Sequence, residues 1–353
     1  MKEISIDQLF TLKDVVPVDV RSPGEFEEFN IPGAVNIPIF TNEERAMIGT
    51  LYKQKGADEA KWRAMEVVSP KLPSILGQIK ALHEDGKQPI IHCWRGGMRS
   101  QSIATFTSFA GMAVPRLIGG IRAYREYILK EIPKLIPPSA ISIHGMTGVG
   151  KTEVLEKLKE KGIPVIDLEA MAGHRGSIFG TFGLFEGHNQ KTFDSLLFQT
   201  LTEIKDSPFF LVEAESKRIG KVVQPDELLE KKHIGFNINL QSSLNSRIER
   251  IYREYVLPYL HKDWFQPKVL ERLKYIYKRM KNVKLIESIN EAVVGEDYKL
   301  VIQLLLEEYY DPRYAHKQLD YKGEFHHVEA ENTDLAVVAI LKILERKSVL
   351  VKR

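Results

Sequence analysis

The chain holds a single cysteine, Cys93, among its 353 residues. One thiol excludes an internal disulfide and suits a reducing, cytoplasmic setting. No stretch approaches the roughly 18 uninterrupted apolar residues of a membrane span, and the N-terminal MKEISIDQLF has no signal-peptide core. No membrane role is therefore expected. Strong net charge is also missing, and the formal +3 does not by itself announce a nucleic-acid partner. Internal repeats and low-complexity tracts are absent. What remains is a chain with 43% hydrophobic and 27% charged residues, the balance of a folded globular protein. Its length exceeds one ordinary core, so two domains are expected. Nothing demands a dimer, and a monomer is the expectation.

Strand-like and helix-like runs alternate along most of the chain. VVPVDVR (15–21) and KQPIIHC (87–93) have the β-branched, apolar content of buried strands, and SQSIATFTSFAG (100–111) follows as a helix. EIPKLIPPSA (131–140) carries three prolines and reads as a linker. The pattern then restarts with strand AISIHG (140–145), helix KTEVLEKLKEKG (151–162) and strand IPVIDLE (163–169). FFLVEAE (209–215) and HIGFNINL (233–240) are further strands. Alternation of this kind predicts two parallel α/β domains, over 1–130 and 141–245, with a mainly helical part over 246–353.

Cys93 stands in IIHCWRGGMRS, where a predicted strand meets a predicted helix. Ligands collect at such junctions in α/β sheets. Gly96 and Gly97 permit close backbone approach, so the amides of Trp94 to Met98, with Ser100, can form an anion cradle. That field, with Arg95 and Arg99, favours a nucleophilic thiolate at Cys93. The competing view is that a free cysteine packs as a small buried hydrophobe. The second motif, GMTGVGKT (145–152), satisfies G-x-x-x-x-G-K-[ST] between a strand and a helix. Gly145, Gly148 and Gly150 would wrap a phosphate, Lys151 would reach its outer oxygens, and Thr152 stands where a Mg²⁺ ligand is usual. Glu213 and Glu215 in FFLVEAES occupy the place of the acidic partner, with a plain core-edge role as the alternative.

GHRGSIFG (173–180) supplies His174 and Arg175 between glycines. Arg175 suits a phosphate clamp, and His174 suits proton transfer or simply local hydrogen bonding. The window from Arg247 to Lys284 holds eleven Lys/Arg against four Asp/Glu, interleaved with seven aromatic residues. Such a mixture can track a phosphate backbone and stack bases. Arg247, Arg250, Arg253, Lys274, Lys278 and Arg279 are its candidate contacts. Solvated helices with aromatic core faces would give the same composition.

VDVRSPGEFEEFNIPGAVNIP (18–38), the Cys93 loop and LIGGIRAY (117–124) resemble the rhodanese domain, whose members carry sulfur or selenium on the cysteine. The match departs at one point. Cys93 and Arg99 are six positions apart, one more than in the common sulfurtransferase loop, and HC-x5-RS also matches the cysteine phosphatase signature. A phosphatase, or a sulfurtransferase with a regulatory nucleotide-binding domain, therefore stays open on these residues. So do a P-loop kinase and a nucleotide-gated tRNA-binding protein without chemistry of its own. A rhodanese domain followed by a P-loop NTPase-like α/β domain with HRGSIFG, FFLVEAES and NEERAMIGTLYKQKG (42–56) resembles the tRNA 2-selenouridine synthase family. That resemblance implies two steps on the wobble 2-thiouridine of the tRNAs for lysine, glutamate and glutamine. Geranyl diphosphate first alkylates the sulfur, and selenium from selenophosphate then displaces the geranylthio group. It further implies Cys93 as a selenylsulfide carrier, the phosphate loop as the diphosphate site, no tightly bound cofactor, and a selenophosphate-supplying enzyme as a partner.

Overall fold

The computed structural model describes residues 2–174, 187–313 and 320–347. The chain divides into two compact units, Met1–Lys134 with Asp194–Gln199, and Leu135–Phe193 with Thr200–Arg353. Each is an α/β structure around a parallel sheet.

The first unit has five parallel strands, β1 (Glu3–Ile4), β2 (Val15–Asp19), β3 (Val35–Asn36), β4 (Gln88–His92) and β5 (Arg116–Leu117), in the order β1-β5-β4-β2-β3. Val18, Ile90 and Ile91 are buried, as they must be in a parallel sheet covered on both faces. The helices are α1 (Ile6–Thr11), α2 (Pro23–Glu28), α3 (Asn42–Lys55), α4 (Ala57–Val68), α5 (Leu72–Glu84), α6 (Met98–Phe109) and α7 (Gly120–Leu135). The 131–140 stretch is mostly regular structure, in contrast to the expected linker. Pro133 is accommodated inside α7, whose end is two residues away, and β6 (Ser139–His144) starts soon after. A proline in a helix's last turn removes one backbone hydrogen bond without displacing a following turn.

The second unit's sheet runs β12-β11-β6-β8-β7, again all parallel, with β7 (Val165–Ile166), β8 (Phe209–Glu213), β11 (Phe236–Gln241) and β12 (Phe325–Glu329). A small antiparallel hairpin, β9 (Arg218–Ile219) and β10 (Val222–Val223), stands outside it. The helices are α8 (Lys151–Glu160), α9 (Leu168–Ala172), α10 (Gln190–Ile204), α11 (Asp226–Ile234), α12 (Leu244–Ile251), α13 (Phe265–Tyr277), α14 (Val283–Val294) and α15 (Tyr298–Leu305); Asp194–Gln199 of α10 belong to the first unit. Two expected strands are shorter than their apolar runs suggest. Asp167 ends IPVIDLE by capping α9 through Ala170 N, and residues 233–234 finish α11 ahead of β11.

The C-terminal part is mainly helical, as expected, with one strand among its helices. Residues of α12 to α15 form their own core around Phe265, Val269, Leu273 and Ile302. β12, however, adds to the sheet beside β11, and the last helix (Thr333–Arg346) packs Ala336, Val337 and Ile340 against Ile141 and Ile143. The phosphate-loop sheet is therefore completed by residues about 180 positions later in the chain.

Candidate functional site

Two sites take shape, one on each unit, both at carboxyl ends of parallel strands. In the first unit β4 ends at His92, Cys93 follows, and α6 begins at Met98. A pair of glycines from the next crossover sets the shape of the intervening loop. Gly120 has a φ of 59°, and a Cβ there would lie 2.2 Å from Cys93 O. Ile121 N donates to Cys93 O at 2.9 Å, Arg122 N donates to Trp94 O at 3.1 Å, and Arg116 donates to Gly96 O while pairing with Glu3. These bonds tie the carbonyls of Cys93, Trp94 and Gly96 to neighbouring backbone and side chains and so fix the course of the loop.

The thiol of Cys93 is 3% exposed and packs in the core of its unit. Its Sγ nevertheless lies 3.2 Å from the buried Ser100 hydroxyl, which is also 3.2 Å from Gly97 O. A thiol can donate to Ser100 Oγ while that hydroxyl donates to Gly97 O; a thiolate can instead accept the hydroxyl proton. Ser100 thus serves both states of the sulfur by rotating one O–H bond. Arg95 is exposed, as are Gly97 and Met98, whereas Trp94 is half-buried, with Arg21 6.0 Å from its ring centroid. Arg99 is paired rather than bare. Its guanidinium donates to Glu25 at 2.6 and 3.3 Å, and burial, which alone would raise the Glu25 carboxyl, is outweighed by Arg99 so that its pKa is lowered. Glu25 escaped sequence reasoning because it lies in α2, far from the loop in sequence. Beneath the loop, Arg21 and Asp19 form a fully buried ion pair, and the buried His92 is pushed down to about 4, chiefly by desolvation and against the pull of Asp19.

In the second unit the phosphate loop joins β6 to α8. Gly145, Gly148 and Gly150 all have positive φ, at 149°, 79° and 93°, and Lys151 Nζ donates to Gly145 O at 3.0 Å. Thr152 is half-buried at the start of α8. Two arginines of α12 hold the loop from behind. Arg247 donates to Thr147 O at 2.8 Å and pairs with Asp311 at 2.6 Å, while Arg250 donates to Gly148 O at 2.6 Å and to Ala330 O at 3.2 Å. Both are buried, which corrects their assignment to an RNA surface. Composition could not separate a solvated arginine from one buried against backbone carbonyls.

β8 pairs with β6 so that Glu213 stands opposite Ile143 at the sheet's ligand-facing end. Burial, reinforced by Glu169, Asp167 and Glu215, raises the Glu213 carboxyl well above the ordinary range, and it accepts Glu169 N at 3.1 Å. Glu215, also buried, has its carbonyl held by the buried Lys232 at 2.7 Å. His174 follows α9 and is pushed down by burial, with Glu215 acting to raise it and Arg272 to lower it. Its ring packs on Gly220 at the tip of the β9–β10 hairpin, where an added Cβ would approach within 3.0 Å. The structure thus brings His174, Glu213 and Glu215 to the same sheet edge as the phosphate loop; Arg175 lies outside the described residues. His144, just before the loop, bonds Asn237 at 2.9 Å and is pushed down to about 4, mainly by burial and further by Lys232 and Lys151. Among the described residues no group of three or more His, Cys, Asp or Glu is arranged to hold a metal ion.

A family model described as the tRNA 2-selenouridine synthase AAA domain matches residues 138–342, and a rhodanese-like domain model matches residues 5–127. This chain belongs to the tRNA 2-selenouridine synthase family. A relative of that name from Bdellovibrio bacteriovorus is 35% identical over 73% of this chain and 69% of its own. One from Nitrosomonas eutropha is 34% identical over 70% and 65%, and one from Pseudomonas syringae pv. syringae is 31% identical over 87% and 89%. These matches join both loops to a single family, which neither loop does alone.

In this member of the tRNA 2-selenouridine synthase family the 247–284 window keeps exposed basic residues both before α13 and from Lys274 onward. Lys268 lies over the Trp264 ring at 5.4 Å and Lys278 over Tyr275 at 5.5 Å, with Trp264 and Tyr275 both exposed. Arg253, Lys274, Lys278 and Arg279 are exposed as well. Tyr252, Tyr255, Tyr259 and Tyr277 instead pack against the helical core, so the window divides into a core face and a basic-aromatic outer face. Among the described residues no helix is long and apolar enough to cross a membrane.

Proposed function

We propose that the protein converts 2-thiouridine in the anticodon region of tRNA to 2-selenouridine, in two steps divided between its two loops. The observation that carries this is the presence, in one chain of this family, of a cysteine in the loop between β4 and α6 and a separate glycine-rich loop between β6 and α8. In the first step the diphosphate of geranyl diphosphate sits on the loop 145–152. The thiocarbonyl sulfur bonds to the geranyl carbon, the carbon–oxygen electron pair leaves with diphosphate, and the thiouracil N3 proton is released. Alkylation turns a poor leaving group into a thiol that can depart. In the second step the selenium of selenophosphate displaces geranylthiolate at C2 beside the Cys93 loop, with Cys93 required for the handover, and the phosphoryl group ends on water as phosphate. Selenium is at the selenide level in donor and product, so this exchange needs no oxidant. Where Mg²⁺ accompanies the diphosphate, the Thr152 hydroxyl and the Glu213 carboxyl are the residues to hold it, and its charge would stabilise the leaving group. The face bearing Trp264, Lys268, Tyr275 and Lys278 contacts the RNA backbone. A cytoplasmic monomer served by a selenophosphate-producing enzyme is the matching context.

The test is nucleoside mass spectrometry on a 2-thiouridine anticodon stem-loop incubated with geranyl diphosphate and then selenophosphate. S-geranyl-2-thiouridine followed by 2-selenouridine is the expected result. Lys151→Ala should remove the first product, and Cys93→Ala should remove only the second. An unchanged nucleoside mass with the wild-type protein would overturn the proposal.

A further inference from the structure

A trans peptide unit points its C=O and its N–H in opposite directions, so whatever holds a carbonyl also aims the amide of the next residue. The described residues contain no cis peptide bond. In the Cys93 loop two carbonyls are drawn toward one segment, the crossover from β5 to α7. Trp94 O accepts from Arg122 N at 3.1 Å, and Gly96 O accepts from the Arg116 guanidinium. The amides of Arg95 and Gly97 therefore face away from that crossover. Among the described residues neither amide has an acceptor. Gly96 is left-handed, with a φ of 64°, and a Cβ there would lie 2.9 Å from both Leu117 O and Gly119 N. A left-handed residue at such a point lets neighbouring amides turn toward one side.

The two anchors differ in kind. Arg122 holds Trp94 through its backbone, which any residue but proline would do. Arg116 uses its side chain. Its own backbone is fixed in β5, where Arg116 N donates to Lys2 O at 3.0 Å and the residue stands opposite Ile91, two positions before Cys93. The side chain is 13% exposed, and a second guanidinium nitrogen pairs with Glu3 of β1. A planar guanidinium gripped at one nitrogen presents its other N–H groups in a set direction, which an ammonium on a flexible stem does not.

We propose that Arg116 is a positioning residue for selenium transfer: by holding Gly96 O it aims the Gly97 amide, beside that of Arg95, at the phosphoryl oxygens of selenophosphate. This rests on the assignment of the Cys93 loop to selenophosphate. Arg116 itself touches no substrate and forms no bond; it acts through the peptide unit that it turns.

The experiment follows alkylation of Cys93, the chain's single cysteine, by iodoacetamide in the full-length protein. Intact mass reads the rate across a series of inorganic phosphate, the oxygen counterpart of selenophosphate, at constant ionic strength. Phosphate should slow wild-type alkylation saturably. Arg116→Met, which keeps the aliphatic stem, should raise the half-protecting concentration about fivefold or more, the scale of one hydrogen bond. Arg116→Lys should recover part of the loss, and Arg63→Met, at an exposed arginine of α4, should match wild type. In selenium transfer, KM for selenophosphate should rise in Arg116→Met while S-geranyl-2-thiouridine forms at the wild-type rate; a fall in kcat at unchanged KM overturns the positioning role. If phosphate protects wild type and Arg116→Met equally, that role also falls and the loop assignment survives. If phosphate gives wild type no protection, the loop assignment falls and the role of Arg116 with it. Should Arg116→Met fail to fold, Arg116→Gln, polar but too short to reach Gly96 O, decides alone: an unchanged half-protecting concentration overturns the proposal.

Discussion

Gly120 shows how much a single residue can hold. Its αL conformation and its approach to Cys93 O leave no volume for a methyl group: the added Cβ would meet backbone at 2.2 Å, not a side chain that can swing aside. Gly120→Ala should therefore displace the Cys93 loop and cost about 3 kcal/mol or more, combining αL strain with a backbone clash. Urea unfolding of the first unit, followed by fluorescence of Trp62 and Trp94 in a Trp264→Phe background, would measure it. A loss under about 1 kcal/mol, the scale of αL strain alone, would mean that the loop yields easily. The glycine pair was visible in LIGGIRAY, but its partner was not. Sequence shows that a glycine is present; only the crossover from β5 to α7 shows which carbonyl it must pass.

At the scale of elements, α12 and α13 divide the work that composition had pooled. Arg247 and Arg250 fix the phosphate loop from behind, while the outer face of α13 shows cations over aromatic rings. The two groups should separate cleanly under mutation. Arg250→Ala leaves the carbonyls of Gly148 and Ala330 short of a donor, so pyrophosphate affinity should fall while retention of a tRNA anticodon stem-loop is kept. Lys278→Ala with Arg279→Ala should do the reverse, weakening RNA binding and reducing the slope of log K against log salt by up to about two. Filter binding across a salt series reads the second effect and calorimetry the first. RNA affinity lost in Arg250→Ala at full pyrophosphate affinity would restore the composition-based assignment. Motifs local to one junction, such as HCWRGGMRS and GMTGVGKT, were legible because strand, loop and helix are contiguous. Glu25, Lys232 and β12 were not, because each reaches its place from a distant segment.

Across the whole molecule, the two units carry buried titratable groups with different balances, and pH should expose this. His92 and His144 are each pushed from about 6.5 to about 4, largely by burial. Between those values the unfolded chain binds a proton that the folded one refuses. The stability each contributes is complete above about pH 6.5 and is lost on acidification, by about 1.4 kcal/mol per pH unit for each group. In the first unit Glu25, its pKa lowered, adds a loss of the same sign at lower pH. The second unit contains Glu213, whose raised carboxyl has the opposite sign: folding retains a proton that the unfolded chain gives up, so its contribution is present in acid and is lost as pH rises. Glu213 therefore opposes His144 and His174 there, and the second unit's stability should vary less between pH 4.5 and 6.5 than the first's. Glu213→Gln keeps the shape, removes the opposing titration, and should steepen the second unit's loss on acidification. Trp264 alone reports that unit once Trp62 and Trp94 are replaced by Phe, so urea midpoints over this pH range compare the two proteins directly. Equal slopes with and without Glu213 would show that folding leaves the proton affinity of its carboxyl unchanged, and the opposing balance of the second unit would fall.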